Sequence, residues 1–135
     1  MTLAQPRGLE LELMPWRLAV CRLPAGAPEP EWGRRGEFYS LTRTPKELSL
    51  VCSQEAVPAG VRHQGGWRAF RVRGVLEFSL TGVLASLAEP LARAGISLFA
   101  LSTHDTDYLL VQEESLPGAR EALKSWGHRV APAKA

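Results

Sequence analysis

Two hydrophobic periodicities alternate along the second half of the chain, and their order constrains the fold more than any other feature of the sequence. Residues 70–73 alternate apolar and basic side chains, which indicates a half-buried strand. Apolar residues at helical spacing predict a helix over residues 80–94, capped by Ser79 and ended by Gly95. Two strands follow, then a second helix after Ser115 and a short last strand. The predicted order is β-α-β-β-α-β.

This order has a topological consequence. Because β-α-β crossovers are right-handed, it predicts a four-stranded antiparallel sheet with both helices on one face. The opposite face of so small a unit would expose apolar side chains to water. We therefore expect that face to meet another domain or another chain.

The first half of the chain shows a looser version of the same plan. Prolines and glycines between residues 24 and 35 limit any helix there to a turn or two around Glu31 and Trp32. A glycine-rich segment at residues 57–66 predicts a loop that joins the halves. Four segments have strand patterns, namely residues 9–13, 16–23, 38–42 and 48–52. We predict an α+β protein with a degenerate N-terminal unit at residues 9–66 and a second unit at residues 67–131.

The composition agrees with a compact protein. Of the 135 residues 45% are hydrophobic and 22% charged, which excludes a disordered chain, a coiled-coil rod and a disulfide-packed mini-protein. The net charge of +2 is too small to indicate nucleic acid or a membrane as partner. The first residues lack the apolar segment of a signal peptide, and no apolar run approaches the length of a membrane span. We therefore expect a cytoplasmic protein.

The two cysteines, Cys21 and Cys52, both lie inside apolar runs. This placement predicts two reduced, buried thiols. A disulfide between neighbouring strands is the alternative that the sequence leaves open.

Residues 78–84, 94–99 and 101–111 resemble the ACT domains, a family of small ligand-sensing βαββαβ modules. The string Ser-Thr-x-Asp-Thr-Asp-Tyr-x-Leu-Val, which begins at Ser102, is similar to small tandem-ACT bacterial proteins and to eukaryotic cytosolic arginine sensors of the CASTOR type. Residues 38–52 resemble the first ACT-like unit of the same bacterial proteins. The resemblance implies two ferredoxin-like ACT units, a homodimer, an amino acid held between ACT units, and neither catalysis nor a cofactor. Because residues 77–82 depart from the Asp-x-Pro-Gly loop of metabolic-enzyme ACT domains, the identity of the ligand does not transfer.

The start of the first predicted helix is a candidate site for the carboxylate of an amino acid. Ser79, Leu80, Thr81 and Gly82 lie there, where free N–H groups and the helix dipole favour an anion. Gly82 has no side chain to block close approach of a ligand to the backbone. An ordinary helix cap with a packing glycine is the alternative interpretation.

The segment Thr103, Asp105, Thr106 and Asp107 is a candidate site for the ligand's ammonium group or a cationic side chain. Alternation places the two aspartates on the same side of an extended chain. Ser102 and Thr103 are weaker candidates than the two aspartates. A turn whose Asp and Thr side chains bond their own backbone is the alternative.

Other chemistries find little support in the sequence. His104 with its neighbouring aspartates has no recognised zinc spacing, and the phosphate-binding, dinucleotide-binding and nucleophile-elbow motifs are missing. Arg68, Arg71 and Arg73 give one strand a basic edge, but Phe70 alone does not make a base-stacking signature. From the ACT resemblance and the two candidate sites, we predict a non-enzymatic amino-acid-binding regulator; the alternative is a ligand-free ACT-like module for oligomerisation or protein interaction.

Overall fold

The computed structural model describes residues 8–74 and 82–131. These residues form an α+β protein, as the sequence predicts. The α-helices are α1 (Val83–Arg93) and α2 (Leu116–Ser125), and short 3-10 helices lie at Glu31–Arg34, Gln54–Ala56 and Glu113–Ser115. The strands in chain order are β1 (Glu10–Leu13), β2 (Leu18–Leu23), β3 (Ser40–Arg43), β4 (Leu48–Ser53), β5 (Arg62–Val72), β6 (Phe99–Ser102), β7 (Asp107–Gln112) and β8 (Arg129–Ala131).

The chain divides into two compact units. Trp16–Trp67 forms one of them, here named the inserted unit because it interrupts the other. The described residues of Met1–Pro15 and Arg68–Ala135 together form the second, here named the C-terminal unit. The domain ranges expected from the sequence, residues 9–66 and 67–131, stay a prediction. They differ from this division in the strand β1, which belongs to the C-terminal unit.

The C-terminal unit contains the predicted β-α-β-β-α-β order, as β5, α1, β6, β7, α2 and β8. The expectation of four antiparallel strands is wrong, because β1 lies between β5 and β8 as a fifth strand. β1 is antiparallel to β5 and parallel to β8. The physical reason is its alternating sequence: Leu11 and Leu13 enter the apolar core, while Glu12 lies opposite Arg71 on the other face.

Both helices of the C-terminal unit pack on one face of its sheet, as predicted. The core between helices and sheet consists of twelve buried side chains: Leu11, Leu13, Phe70, Val72, Val83, Leu87, Leu91, Leu109, Val111, Ala119, Ala122 and Leu123. The strand members alternate along each strand, and the helix members recur at helical spacing. Burial of these side chains is the main force that holds the helices on the sheet.

Helix α1 is shorter than the prediction of residues 80–94. It begins at Val83, after Gly82 in the left-handed conformation with φ of 79°. A left-handed residue cannot continue a right-handed helix, so the helix starts only beyond it. Gly95, with φ of 72°, follows its C-terminal end as predicted.

The inserted unit has strands in the order β3-β4-β2-β5. Every residue of Trp16–Trp67 is described, and none lies in an α-helix; the Pro/Gly-rich stretch forms only the 3-10 helix Glu31–Arg34, as predicted. The expectation of a loop over residues 57–66 is wrong for its second half, which belongs to β5. Cross-strand pairing decides this, since β5 pairs with β2 here despite its glycines.

Cys21 and Cys52 are free thiols buried in the core of the inserted unit, which confirms the prediction of buried, reduced cysteines. In the pairing of β2 with β4, Cys21 lies opposite Leu50 and Cys52 opposite Ala19. The two cysteines are therefore diagonal neighbours, whose Cα atoms are about 7–8 Å apart in an antiparallel pair. This separation exceeds the usual span of a disulfide.

Candidate functional site

The first predicted site, at the start of α1, is described only at Gly82. Ser79, Leu80 and Thr81 lie outside the described residues. Gly82 is half-buried, and its carbonyl oxygen accepts a hydrogen bond of 2.9 Å from the N–H of Ser86 in the first turn of α1. Its positive φ is a conformation that favours glycine. The backbone at this point is therefore constrained to glycine, whether or not a ligand approaches it.

The second predicted site forms the tight turn between β6 and β7. The N–H of Thr103 donates to the carbonyl oxygen of Thr106 at 2.8 Å, and the Thr106 N–H donates to the Thr103 hydroxyl at 3.3 Å. Ser102 and Asp107 are cross-strand partners next to this turn. The Ser102 hydroxyl donates to Oδ1 of Asp107 at 2.6 Å. The structure thus brings together the residues that the sequence grouped in this segment.

Thr106 anchors the turn to the sheet. Its hydroxyl donates to the carbonyl oxygen of Val72 at 2.8 Å, and the residue is only 4% exposed. A buried hydroxyl with a satisfied hydrogen bond is a structural group. Val72 ends β5, and the chain continues from there through residues 75–81 to Gly82. The Thr106 hydroxyl therefore ties the second predicted site to the strand that leads to the first.

The two aspartates differ in their surroundings. The Asp105 side chain is 63% exposed, and its Oδ1 lies 2.9 Å from Nδ1 of the exposed His104. Asp107 is half-buried and holds the Ser102 hydroxyl. Asp107 is therefore the better-oriented carboxylate of the pair, because a short hydrogen bond fixes its position.

The basic edge predicted at Arg68, Arg71 and Arg73 is paired with carboxylates within the C-terminal unit. Arg68 lies 3.4 Å from Glu113 and Arg71 lies 3.6 Å from Glu12. Arg73 contacts Glu12 at 3.4 Å and Glu10 at 3.7 Å, and Arg129 contacts Glu10 at 3.5 Å. These side chains form alternating charges across β5, β1 and β8, a pattern typical of a solvated sheet face.

His128, directly before β8, is a buried structural residue of the C-terminal unit. It is 2% exposed, and both ring nitrogens have backbone partners. Nδ1 accepts from the N–H of Leu9 at 3.2 Å, and Nε2 lies 3.0 Å from the carbonyl oxygen of Ser86. No local sequence pattern indicates this role, because the partners Leu9 and Ser86 are 119 and 42 positions away along the chain.

Residues 8–74 and 82–131 contain neither a cluster of metal ligands nor a helix suited to crossing a membrane. In that part of the chain, no three His, Cys, Asp or Glu side chains form a group able to hold a metal ion. No described helix has the length and apolar character that a membrane crossing requires.

The family model of the ACT domain matches residues 62–125 of this chain. A second family model, described as an N-terminal domain, matches residues 17–60. The two matches correspond to most of the described strands and helices.

The human protein CASTOR3P is 31% identical over 134 residues, and the match covers 87% of this chain and 82% of CASTOR3P. The human cytosolic arginine sensor for mTORC1 subunit 1 is 31% identical over 93 residues, which are 61% of this chain but only 28% of that sensor. The crystal structure of protein Atu0741 from Agobacterium tumefaciens is similar with a TM-score of 0.90 and 35% identity, and the match covers 96% of each chain. The chain therefore belongs to the ACT-domain family.

Proposed function

We propose that this protein is a non-enzymatic cytoplasmic regulator that binds an amino acid through its ACT domain. The observation that carries the proposal is the Ser102–Asp107 pair, in which a 2.6 Å hydrogen bond orients a half-buried carboxylate beside a tight turn. The similarity to a protein named as a cytosolic arginine sensor supports the same ligand class.

The chemistry of the predicted residues fits an amino acid. Asp107, supported by the more exposed Asp105, offers negative charge to an ammonium or guanidinium group. Gly82 directly precedes α1, where the free N–H groups of a helix start favour a carboxylate. Ser79, Leu80 and Thr81, which the sequence assigns to the same site, stay candidates outside the described residues. The Thr106–Val72 hydrogen bond joins the turn beside Asp107 to the end of β5.

The proposed mechanism is a population shift. A ligand that binds one arrangement of a homodimer more tightly raises the population of that arrangement by its differential affinity. A partner protein then binds the surface that this arrangement exposes.

The test is a thermal-shift screen of the full chain against the twenty amino acids, followed by calorimetric titration of each hit. A ligand at about 100 times its Kd adds roughly 2.7 kcal/mol of stability, a shift of several degrees. Asp107→Asn should lower the affinity for the amino acid found in the screen roughly tenfold, because it removes a charged hydrogen-bond acceptor. Glu114→Gln, an exposed carboxylate of the same unit, is the matched control. If both variants bind the amino acid with equal affinity, Asp107 is not part of the site.

The second candidate function is a ligand-free module for oligomerisation. It is favoured by the internal hydrogen bonds of Ser102, Thr103 and Thr106, which satisfy their hydroxyl groups without a ligand. Light scattering with and without amino acids separates the two candidates. This module would be favoured if the size of the oligomer is the same with and without every amino acid and if no amino acid changes the melting temperature.

A further inference from the structure

We propose that the inserted unit carries its own binding site for a small zwitterion, which presents a carboxylate to Arg22 and Arg62 and an amine to Glu47. A groove of about 300 Å³ lies along one face of this unit's sheet. Its lining includes the three charged residues together with Val20, Ser49 and Gln64. No sequence motif marks any of these residues as part of a site.

Strand register places the two arginines side by side. Arg22 of β2 lies directly opposite Arg62 of β5, and Ser49 of β4 lies opposite Arg22 from the other side. Directly opposed residues point to the same face of an antiparallel pair, with Cβ atoms about 5 Å apart. Ser49, Arg22 and Arg62 therefore form one row across three strands. Val51, Val20 and Gln64 form the next row.

In the described part of the chain, neither arginine of the pair forms an ion pair. One guanidinium nitrogen of Arg22 donates to the carbonyl oxygen of Lys46 at 3.0 Å, but a carbonyl carries no net charge. Among the described residues, neither Arg22 nor Arg62 has a carboxylate within ion-pair distance. Like charges in directly opposed positions destabilise a sheet. An anion bound at this row of the sheet offsets that repulsion.

The C-terminal unit shows the contrasting arrangement. There Arg71 lies opposite Glu12 and Arg129 opposite Glu10, so each strand arginine faces a carboxylate. The arginines on the sheet face of the C-terminal unit therefore lie opposite carboxylates. On the sheet face of the inserted unit, Arg22 and Arg62 lie opposite each other. Arg22 and Arg62 are both exposed, so an external anion can reach them, and the contrast with the C-terminal unit supports an anion there.

The ligand class follows from the groups that line the groove. The planar fork of a guanidinium matches the two oxygens of a carboxylate. Glu47, directly before β4, supplies an acceptor for an ammonium group, and Ser49 and Gln64 add neutral hydrogen-bonding groups. The volume fits a small molecule rather than a folded partner. An α-amino acid or a short peptide end combines both charges at the required spacing.

The experiment is an NMR titration of the full chain with glycine, acetate and glycinamide as probes. Glycine carries both charges, acetate lacks the amine and glycinamide lacks the carboxylate. We expect glycine to shift the backbone amides of β2 and β5 around Arg22 and Arg62, acetate to bind more weakly, and glycinamide weakest of all. Arg62→Gln should weaken glycine binding roughly tenfold or more, and Arg62→Lys should do so less, because it keeps the charge but loses the fork.

The control variant is Arg35→Gln, which removes an exposed arginine of the same unit outside the groove. The proposal is overturned if Arg62→Gln and Arg35→Gln bind glycine equally, or if glycinamide shifts these amides as strongly as glycine. Preserved amide dispersion in each variant shows that it is folded. This site does not depend on the turn between β6 and β7, so Asp107→Asn should leave the shifts in β2 and β5 unchanged. A failure of either proposal is thereby distinguishable from a failure of the other.

Discussion

Nε2 of His128 lies 3.0 Å from the carbonyl oxygen of Ser86, inside the C-terminal unit. Because a carbonyl oxygen only accepts, Nε2 carries the ring hydrogen; the Leu9 N–H then donates to the unprotonated Nδ1 at 3.2 Å. One neutral imidazole therefore joins the segment before β1, helix α1 and the segment before β8. Both ring nitrogens are satisfied, which explains how a histidine only 2% exposed is tolerated in this core.

His128→Ala should reduce the free energy of unfolding by about 2–4 kcal/mol, because it leaves the Leu9 N–H and the Ser86 carbonyl without their buried partner. Urea denaturation followed by circular dichroism measures this loss. His104→Ala is the control, since that side chain is 82% exposed and should change stability by less than about 0.5 kcal/mol. Equal stability of the two variants would show that the imidazole does not hold these segments together.

Thr106→Val should destabilise the C-terminal unit by about 1–3 kcal/mol. The substitution keeps the shape of the side chain but leaves the Val72 carbonyl oxygen without the hydroxyl that donates to it at 2.8 Å. Thr106→Ser keeps that hydroxyl and should lose less. Hydrogen exchange of the amides in β7 measures the local effect. The idea fails if these amides exchange equally fast in the Thr106→Ser and Thr106→Val variants.

Gly65→Ala should destabilise the inserted unit, because a Cβ atom there would lie 2.7 Å from Oε1 of Gln54. That oxygen accepts from the N–H of Gly66 at 2.6 Å, so its displacement also breaks a backbone hydrogen bond. We expect a loss of about 1–3 kcal/mol in thermal or urea unfolding. Gly26→Ala, where a Cβ meets nothing within 4 Å, should be neutral or slightly stabilising. A Gly65→Ala variant as stable as Gly26→Ala would contradict the close approach of Gln54 to Gly65.

The two thiols should react in a fixed order. A hydrogen bond from Cys52 lowers the pKa of the Cys21 thiol, against the effect of burial and with a smaller contribution from the charge of His63. The hydrogen bond to Cys21 and burial raise the pKa of Cys52 far above its usual range. Because the thiolate is the reactive species, iodoacetamide above neutral pH should modify Cys21 before Cys52, as measured by peptide mass spectrometry. Burial should make both reactions slow until denaturant is added, and modification of Cys52 first would contradict the assigned pKa directions.

Local periodicity was sufficient to predict most of the elements. The apolar spacing in α1 and α2 and the alternation in β1, β2, β4 and β7 predict these elements within a few residues of their observed bounds. The turn at Thr103–Thr106 was also predictable, because its threonines and aspartates bond to nearby backbone and side-chain groups. The candidate residues Ser102, Asp105 and Asp107 are grouped by chain proximity alone.

The chain's own sequence therefore determined the α+β class, the β-α-β-β-α-β order and the identity of the turn beside Asp107. Only the tertiary structure decided which distant segments meet: β1 between β5 and β8, the Leu9 N–H on His128, and Arg22 opposite Arg62. The physical reason is the range of the interactions. Helix and turn signals act over a few residues, whereas strand pairing and buried side-chain hydrogen bonds join groups many positions apart, where no local pattern specifies the partner.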